Sequence, residues 1–340
     1  NNDQLCLDNG EVLQFDNLLI ATGGTPFIPP IQGTDKNNIH TFISFDDVKN
    51  IEYSLKEFDT SEEILILGAG LIGLKAAESL VKSGFNVTVV ELADRILSTI
   101  LDQKAASMVQ SYLKDKGVNF QLSDTIEEFK GDQKVEKARL KSGLMLDCDL
   151  GIIAVGVRPN LELVKDTDIN YDKGILVNKN LQTNQKNIFA AGDVSEGIDM
   201  LKGSSGVIPI WPNAYNQGLI AGKNMAGTEA EYKASFARNS ISFFDLPLIT
   251  AGIINPPEEE AEKYEIRENK DTEENIYKKI VIKDNKLVGF IFINAVDRAG
   301  ILTGLIKDRE DISDIKFQIL NDNFGYLNMK TDWRKEKLYK

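Results

Sequence analysis

The sequence predicts an α/β protein in which a helix-covered parallel sheet is followed by a smaller α+β region. Three observations predict this. Apolar strand-like runs alternate with helical stretches between about Thr41 and Val157, the pattern of a parallel sheet. A glycine-rich turn leads from one such strand directly into a helix. From Tyr232 onward the pattern changes to hairpin-like runs separated by breakers and charge.

In chain order, Leu5 to Phe15 forms two short alternating runs around Asp8-Asn9-Gly10, a hairpin pattern. Asn17 to Ala21 is a buried-strand run ending in Thr22-Gly23-Gly24, and Pro26, Pro29 and Pro30 then mark a crossing between domains. Ile64 to Leu67 reads as a strand, Leu71 to Ser83 as a helix with Leu74, Ala77, Leu80 and Val81 on one side, and Val87 to Val90 as the next strand. Asp102 to Lys116 reads as a second helix, stopped by Gly117. Leu150 to Val155 is another buried strand. Gly174 to Val177 and Asn187 to Asp193 follow, then a helix from about Asn213 to Ala226. The last stretch carries Asn255-Pro256-Pro257, the acidic run Glu258 to Glu260, a hairpin turning at Lys283 to Lys286, and a short helix from about Arg298 to Lys307. Leu18 to Gly23 echoes Gly151 to Gly156. Both are apolar runs ending Ala-x-Gly, which either two related nucleotide-binding halves or chance between buried strands would produce.

The chain has 340 residues, 42% hydrophobic and 27% charged, with net charge −13. Such an acidic chain without a basic stripe disfavours nucleic acid, because duplex binding needs clustered Lys and Arg. No apolar run approaches the roughly 20 residues that span a bilayer, and no signal peptide is recognisable. Cys6 and Cys148 are the only cysteines and form no CxxC pair, so neither a zinc knuckle nor a local redox disulfide is expected. Sparse cysteine fits a reducing cytoplasm. His40 is the single histidine. It has no accompanying GxSxG turn and reads as an ordinary surface or loop residue. No metal site and no catalytic side chain are expected.

Gly68-Ala69-Gly70-Leu71-Ile72-Gly73 matches GxGxxG between a strand and a helix, and a second strand ends in Glu91. The distance from Gly70 to Glu91 is about the 20 residues that a dinucleotide site requires. Gly68 allows the tight turn, Gly70 lets a pyrophosphate approach the backbone, and Gly73 lets the helix pack closely. The helix start, Leu71 and Ile72 included, offers free N–H groups to the phosphates. Glu91 sits where a carboxylate accepts the adenosine ribose hydroxyls and repels a 2′-phosphate, which favours NADH over NADPH. Arg95 either softens that preference or is a surface arginine. The competing reading of the turn is tight helix packing alone.

With these pieces in place, the chain resembles the FAD-dependent pyridine nucleotide–disulfide oxidoreductases, particularly the NADH:rubredoxin reductase and NADH oxidase branch. The resemblance covers about Asn17 to Gly227. It rests on Ile20 to Gly24, the glycine-rich turn, Ala154 to Asn160, and Ile188 to Asp193. Asn239 to Gly252 and Asp297 to Ile306 further resemble the C-terminal domain of such flavoproteins.

The resemblance implies two nucleotide-binding Rossmann-like domains, an FAD domain interrupted by an NAD domain, plus a small α+β C-terminal domain. The implied boundaries are 1–35 and 158–230 for FAD, 36–157 for NAD, and 231–340 for the last domain. It places Thr22 and Gly23 near the flavin nucleotide, Gly156 near the nicotinamide, and Gly192 with Asp193 at the ribityl chain. The helix opening at Pro212, with Asn213 and Ala214, would face the flavin pyrimidine with its positive dipole end. Trp211 would cover the isoalloxazine edge or pack in a core. The capping reading of Gly192-Asp193, a strand-to-helix turn, stands beside the cofactor one.

Three departures accompany the resemblance. The family's first GxGxxG unit, roughly its first quarter, is not in this sequence. The redox cysteines of the disulfide reductases would lie there, and neither Cys6 nor Cys148 is placed to act. Lys75 stands where many members carry Glu, near the nicotinamide end. The implied activity is hydride transfer from NADH to flavin and electron transfer onward to rubredoxin, an iron–sulfur protein or oxygen. The alternative is a non-catalytic, NAD-binding or structural subunit of a larger redox complex. A homodimer through the C-terminal domain is implied, with Phe243, Phe244, Leu246, Pro247 and Leu248 as either an apolar contact surface or a buried core.

Overall fold

A computed structural model describes residues 3–338. The opening hairpin pairs β1 (Gln4–Cys6) with β2 (Val12–Gln14), its register closing around Asp8-Asn9-Gly10. β3 (Leu18–Ile20) and β4 (Gly24–Pro26) follow. Next come β5 (Ile39–Thr41), α1 (Phe45–Leu55), β6 (Glu63–Leu67), α2 (Leu71–Lys82), β7 (Asn86–Glu91), α3 (Gln103–Asp115) and β8 (Val118–Leu122). The meander β9 (Ile126–Lys130), β10 (Lys137–Leu140) and β11 (Met145–Asp147) leads into β12 (Leu150–Ile153). Then come β13 (Val157–Pro159), β14 (Ile175–Leu176), β15 (Ile188–Ala190), β16 (Ser195–Asp199), β17 (Ser204–Gly206) and α4 (Trp211–Met225). The last part holds β18 (Arg238–Phe243), β19 (Leu246–Gly252), β20 (Tyr264–Asp271), β21 (Ile276–Lys283), β22 (Lys286–Ile293), α5 (Ala299–Asp308) and α6 (Thr331–Leu338).

These elements form two compact units. One contains residues up to Thr25 together with Val157–Ala237; the other contains Pro26–Gly156 together with Arg238 onward. In the first unit β3 and β15 pair in parallel, Ile20 opposite Ala190. Both strands therefore deliver their following glycine turns at the same end. Ile20, Val164, Ile169, Ile175, Ala190 and Val194 pack beneath them.

In the second unit five parallel strands run in the order β5-β12-β6-β7-β8. Ile64, Leu65, Ile66 and Leu67 are all buried, as expected of a central parallel strand covered on both faces. The order reverses direction at β6, and an open α/β sheet binds ligands outside the strand ends at such a point. Asp102 caps α3 by accepting the Ala105 N–H at 2.9 Å.

The last part contributes the antiparallel sheet β18-β19-β22-β21-β20. The β21–β22 hairpin turns at Asp284 and Asn285, both left-handed, which these residue types tolerate. This sheet is not a separate lobe in its packing: Phe243, Leu246, Leu248, Tyr277 and Ile291 share one core with Leu74, Ile96 and Leu101.

One open reading is decided here and one expectation corrected. The apolar segment proposed as a contact surface between copies is mostly internal: Phe243, Leu246 and Leu248 are buried and Phe244 lies beneath Lys82, whose ammonium is 5.0 Å from its ring. The hairpin tip meets α2 within its own chain. His40 is not in a loop but in β5, half-buried, with Nε2 3.0 Å from the Ser54 hydroxyl. Burial holds its imidazole below the usual value although Asp47 opposes this.

Candidate functional site

The glycine-rich turn of the second unit is built by contact. A Cβ on Gly73 would lie 2.0 Å from the Gly68 carbonyl oxygen, so only glycine lets α2 approach β6 this closely. A Cβ on Gly70 would meet nothing within 4 Å, and Gly70 itself is exposed. That leaves open space in front of the helix start. Gly70 occupies the N-cap and no side chain caps the helix; the first turn carries no acidic residue. The N–H groups of Leu71, Ile72 and Gly73 lie in the turn that an α-helix cannot satisfy internally, and they face this opening with the helix dipole behind them.

Glu91 ends β7 beside the turn. One carboxylate oxygen accepts the Ala69 N–H at 2.7 Å and the other accepts the Ala93 N–H at 2.8 Å. Each oxygen keeps a second lone pair for a ligand hydroxyl. The charge is thus fixed in place before anything binds. Gly156, after β12, is exposed with φ +126°, and nothing lies within 4 Å of where its Cβ would be.

Lys75 is committed to neighbours. Its ammonium donates to Glu78 at 2.5 Å and to the Ser242 carbonyl at 3.1 Å, while Lys82 donates to the other Glu78 oxygen at 2.6 Å. Burial pushes the Glu78 carboxyl up, but the two lysines and the Phe244 N–H outweigh it, and the group sits below the usual range.

The first unit carries a second turn, assembled from distant segments. Gly192 follows β15 with φ +81°, where a side chain would be strained. Its N–H donates to Gln217 Oε1 at 2.8 Å, and the Ser195 hydroxyl lies between that oxygen at 3.2 Å and the Gly192 carbonyl at 3.0 Å. Gln217 on α4 is fully buried. It ties the helix to the turn, and its own Nε2 is buried without an acceptor among the described residues.

Asp193 is the chemical contrast to Glu91. Its side chain makes no hydrogen bond or ion pair with the described residues, and burial alone holds its carboxyl above the usual value. A half-desolvated, unpartnered carboxylate is costly unless something supplies donors. A hydroxyl-bearing cofactor fits here, because its hydroxyls would supply the donors that Asp193 lacks.

The start of α4 is shaped by Asn213, whose amide donates to the Ile208 carbonyl at 3.0 Å and whose oxygen accepts the Tyr232 hydroxyl at 2.6 Å. Its side chain is buried and bonded inside the protein, and its N–H donates to the Ile210 carbonyl at 3.0 Å. Ala214 lies beside Gly192, 3.6 Å from where a Gly192 Cβ would be. Trp211 is 86% exposed, which rules out the core-packing reading. Thr22 is exposed and its hydroxyl donates to the Asn160 carbonyl at 2.8 Å, while the Asn160 N–H donates to the Gly23 carbonyl at 2.8 Å. Gln217 and Tyr232 escaped the sequence reading because nothing in their spacing marks a contact made across the fold.

Neither cysteine is poised for chemistry. Cys148 is buried, and its thiol is pushed up to about 12 by burial first and by Asp149 second. Cys6 is exposed in the opening hairpin. Among the described residues no group of three or more His, Cys, Asp and Glu side chains could hold a metal, and no helix is long and apolar enough to cross a membrane.

A parallel sheet with a glycine turn and acidic strand end in one unit, and a strand–Gly-Asp–helix arrangement in the other, define an α/β protein of the nucleotide-binding class. The chain belongs to the pyridine nucleotide–disulphide oxidoreductase family: residues 1–218 match that family's model, and residues 238–310 match that of the rubredoxin NAD+ reductase C-terminal domain. It is 39% identical over 236 residues to an NADH oxidase of Methanocaldococcus jannaschii, covering 68% of this chain and 52% of that protein. It is 32% identical to the nitrite reductase [NAD(P)H] of Bacillus subtilis, over 92% of this chain but 37% of that protein. The chain thus spans about half or less of these two relatives' length. Among solved structures, a NAD-dependent persulfide reductase from A. fulgidus superposes with a TM-score of 0.81 at 26% identity, covering 91% of this chain and 60% of that one.

Proposed function

We propose that the chain acts in an NADH-driven flavin oxidoreductase that moves a hydride from NADH to FAD and passes the electrons to a protein acceptor. The observation that carries this reading is Asp193, a carboxylate held beside a left-handed glycine with no protein partner. The second unit's glycine turn and Glu91 support NAD(H) as the other ligand.

On this reading Leu71, Ile72 and Gly73 offer N–H groups to the NADH pyrophosphate, with Gly68 and Gly70 keeping the approach clear. Glu91 accepts the adenosine ribose hydroxyls and disfavours NADPH. Gly156 borders the nicotinamide. Thr22 and Gly23 border the flavin nucleotide, Gly192 and Asp193 hold the ribityl chain, and the Trp211–Ala214 helix start places positive dipole toward the flavin pyrimidine. FAD, when bound, supplies the hydride acceptor and the path for single electrons. Asn213 and Gln217 keep the helix start and the glycine turn in register. No side chain need move a proton in the first half-reaction, so no catalytic residue is assigned.

The C-terminal match to a rubredoxin reductase domain supports rubredoxin, or an iron–sulfur protein, as the acceptor. Residues up to about 35 and 158–230 are assigned to the flavin, 36–157 to NAD, and 231–340 to the smaller domain. A cytoplasmic homodimer completes the proposal; light scattering that finds only monomer across concentrations would remove the dimer. The principal test is stopped-flow mixing of the flavin-loaded protein with NADH. Bleaching of the flavin band is expected, followed by reoxidation on adding rubredoxin. A band that NADH leaves unchanged would overturn the reading.

A further inference from the structure

The smaller C-terminal sheet reaches the glycine-rich turn through an unbroken set of contacts inside the second unit. Lys279, 5% exposed on β21, donates to Asp102 Oδ2 at 2.8 Å. Tyr277, two residues earlier on the same face of that strand, is 2.8 Å from the same oxygen. The other Asp102 oxygen caps α3. Next to Asp102, the Leu101 carbonyl accepts the Asn255 amide at 3.1 Å. Leu101 N–H in turn donates to the Leu97 carbonyl at 2.9 Å, and Leu97 N–H donates to the Ala69 carbonyl at 2.9 Å. Ala69 is the residue inside the glycine turn whose N–H holds Glu91.

Residues 92–102 therefore form a bridge fixed at both ends. Its inner face is packed: Ile96, Leu97 and Leu101 are buried in the core they share with Tyr277, Phe243 and Leu246. A buried ammonium is expensive unless paired. Lys279 and Asp102 each satisfy the other here, while burial of Asp102 is outweighed by Lys279, the Ala105 N–H and Tyr277, which keep its carboxyl below the usual range. A largely buried charged pair is a costly way to join β21 to the start of α3. A hydrophobic pair would serve for adhesion alone, whereas a directional pair fixes where the bridge sits.

We propose that Lys279 is a positioning residue for the dinucleotide site, acting through Asp102 and the 92–102 bridge to hold Ala69 and Glu91 in their binding geometry. The C-terminal sheet is then part of the support of the NADH site. The inference rests on the NADH reading of the glycine turn.

The test is binding of NAD+ and of ADP-ribose to the full flavin-loaded protein, followed by calorimetry. Lys279→Met is expected to weaken both ligands about tenfold, and Lys279→Arg to restore most of the loss. Steady-state rates should show the change in KM for NADH, with kcat little altered. Lys278→Met is the control. Lys278 sits on the opposite face of β21, is equally buried and pairs with Asp322 at 2.7 Å; its loss should lower the melting temperature without changing ADP-ribose affinity. Should Lys279→Met fail to fold, Asn255→Ala, which removes only the contact to Leu101, is expected to weaken ADP-ribose two- to fivefold. Wild-type affinity in a folded Lys279→Met, or in Asn255→Ala where the former does not fold, would overturn the proposal. Failure of the wild-type protein to bind ADP-ribose would instead overturn the NADH reading itself.

Discussion

The two glycine turns solve the same problem with opposite construction. The turn at Gly68–Gly73 is local: strand, turn, helix and acidic strand end lie within one stretch of chain, and Glu91 is held by two backbone N–H groups. The turn at Gly192–Asp193 is assembled from distant pieces, with Gln217 accepting its N–H and Asp193 left without a partner. The first carboxylate is anchored by the protein's own backbone. The second is half-buried and has no donor among the described residues.

The largest expected effect breaks the local turn. Gly73→Ala places a Cβ 2.0 Å from the Gly68 oxygen. Forcing the helix away should cost about 1–3 kcal/mol of stability and abolish measurable ADP-ribose binding, read by melting and calorimetry together. Unchanged affinity would show that the close packing is incidental.

Glu91→Gln sharpens the same site. Losing a charge-assisted acceptor is worth about 1.5–3 kcal/mol, so NADH affinity should fall roughly tenfold or more. The ratio of NADPH to NADH affinity should rise, because the charge that repels a 2′-phosphate is gone. Equal losses for both nucleotides would contradict this role for Glu91.

In the assembled turn, Gln217→Leu leaves the Gly192 N–H without its buried acceptor, while the Ser195 hydroxyl keeps the Gly192 carbonyl. The cost should be about 1–3 kcal/mol, and it should appear as weaker FAD retention with ADP-ribose affinity unchanged. Loss of ADP-ribose binding in this variant would mean the two turns are not independent.

The smallest effect concerns pH. Burial holds the Asp193 carboxyl above 3.8. A raised carboxyl favours the neutral form in the folded chain, so its contribution to stability is full below 3.8 and is lost as pH rises through the folded value. Asp193→Asn should therefore melt slightly higher than the parent at neutral pH without flavin, and equal it at pH near 3. With flavin bound the order should reverse. A parent and variant that track each other at every pH would remove the strain assigned to Asp193.

Legibility in the sequence followed the same division. β6, α2 and β7 are recognisable because burial imposes a period on neighbouring residues, and Gly68, Gly70, Gly73 and Glu91 keep fixed spacing. The sequence reading marked neither α1 nor the β9–β11 meander as elements. α1 buries only Ile51, and the meander strands are short and partly exposed, so neither writes a strong pattern. Phe243 to Leu248 showed its apolar character but not what covers it, because that depends on α2 lying against the hairpin. Lys279 was invisible for the same reason: a lysine in a strand announces a partner only when Asp102, far away in sequence, is brought to it.

By itself, then, the sequence determined the alternating sheet, the glycine turn with its acidic strand end and the Gly192-Asp193 motif, since each is written as a pattern of residues close along the chain. Only the tertiary structure decided that Glu91 is already anchored, that Asp193 is not, that the Asn213 side chain is buried against Ile208 and Tyr232, and that the C-terminal sheet reaches Ala69 through Asp102. Those facts depend on which distant donors and acceptors arrive within hydrogen-bond distance, and packing alone settles that.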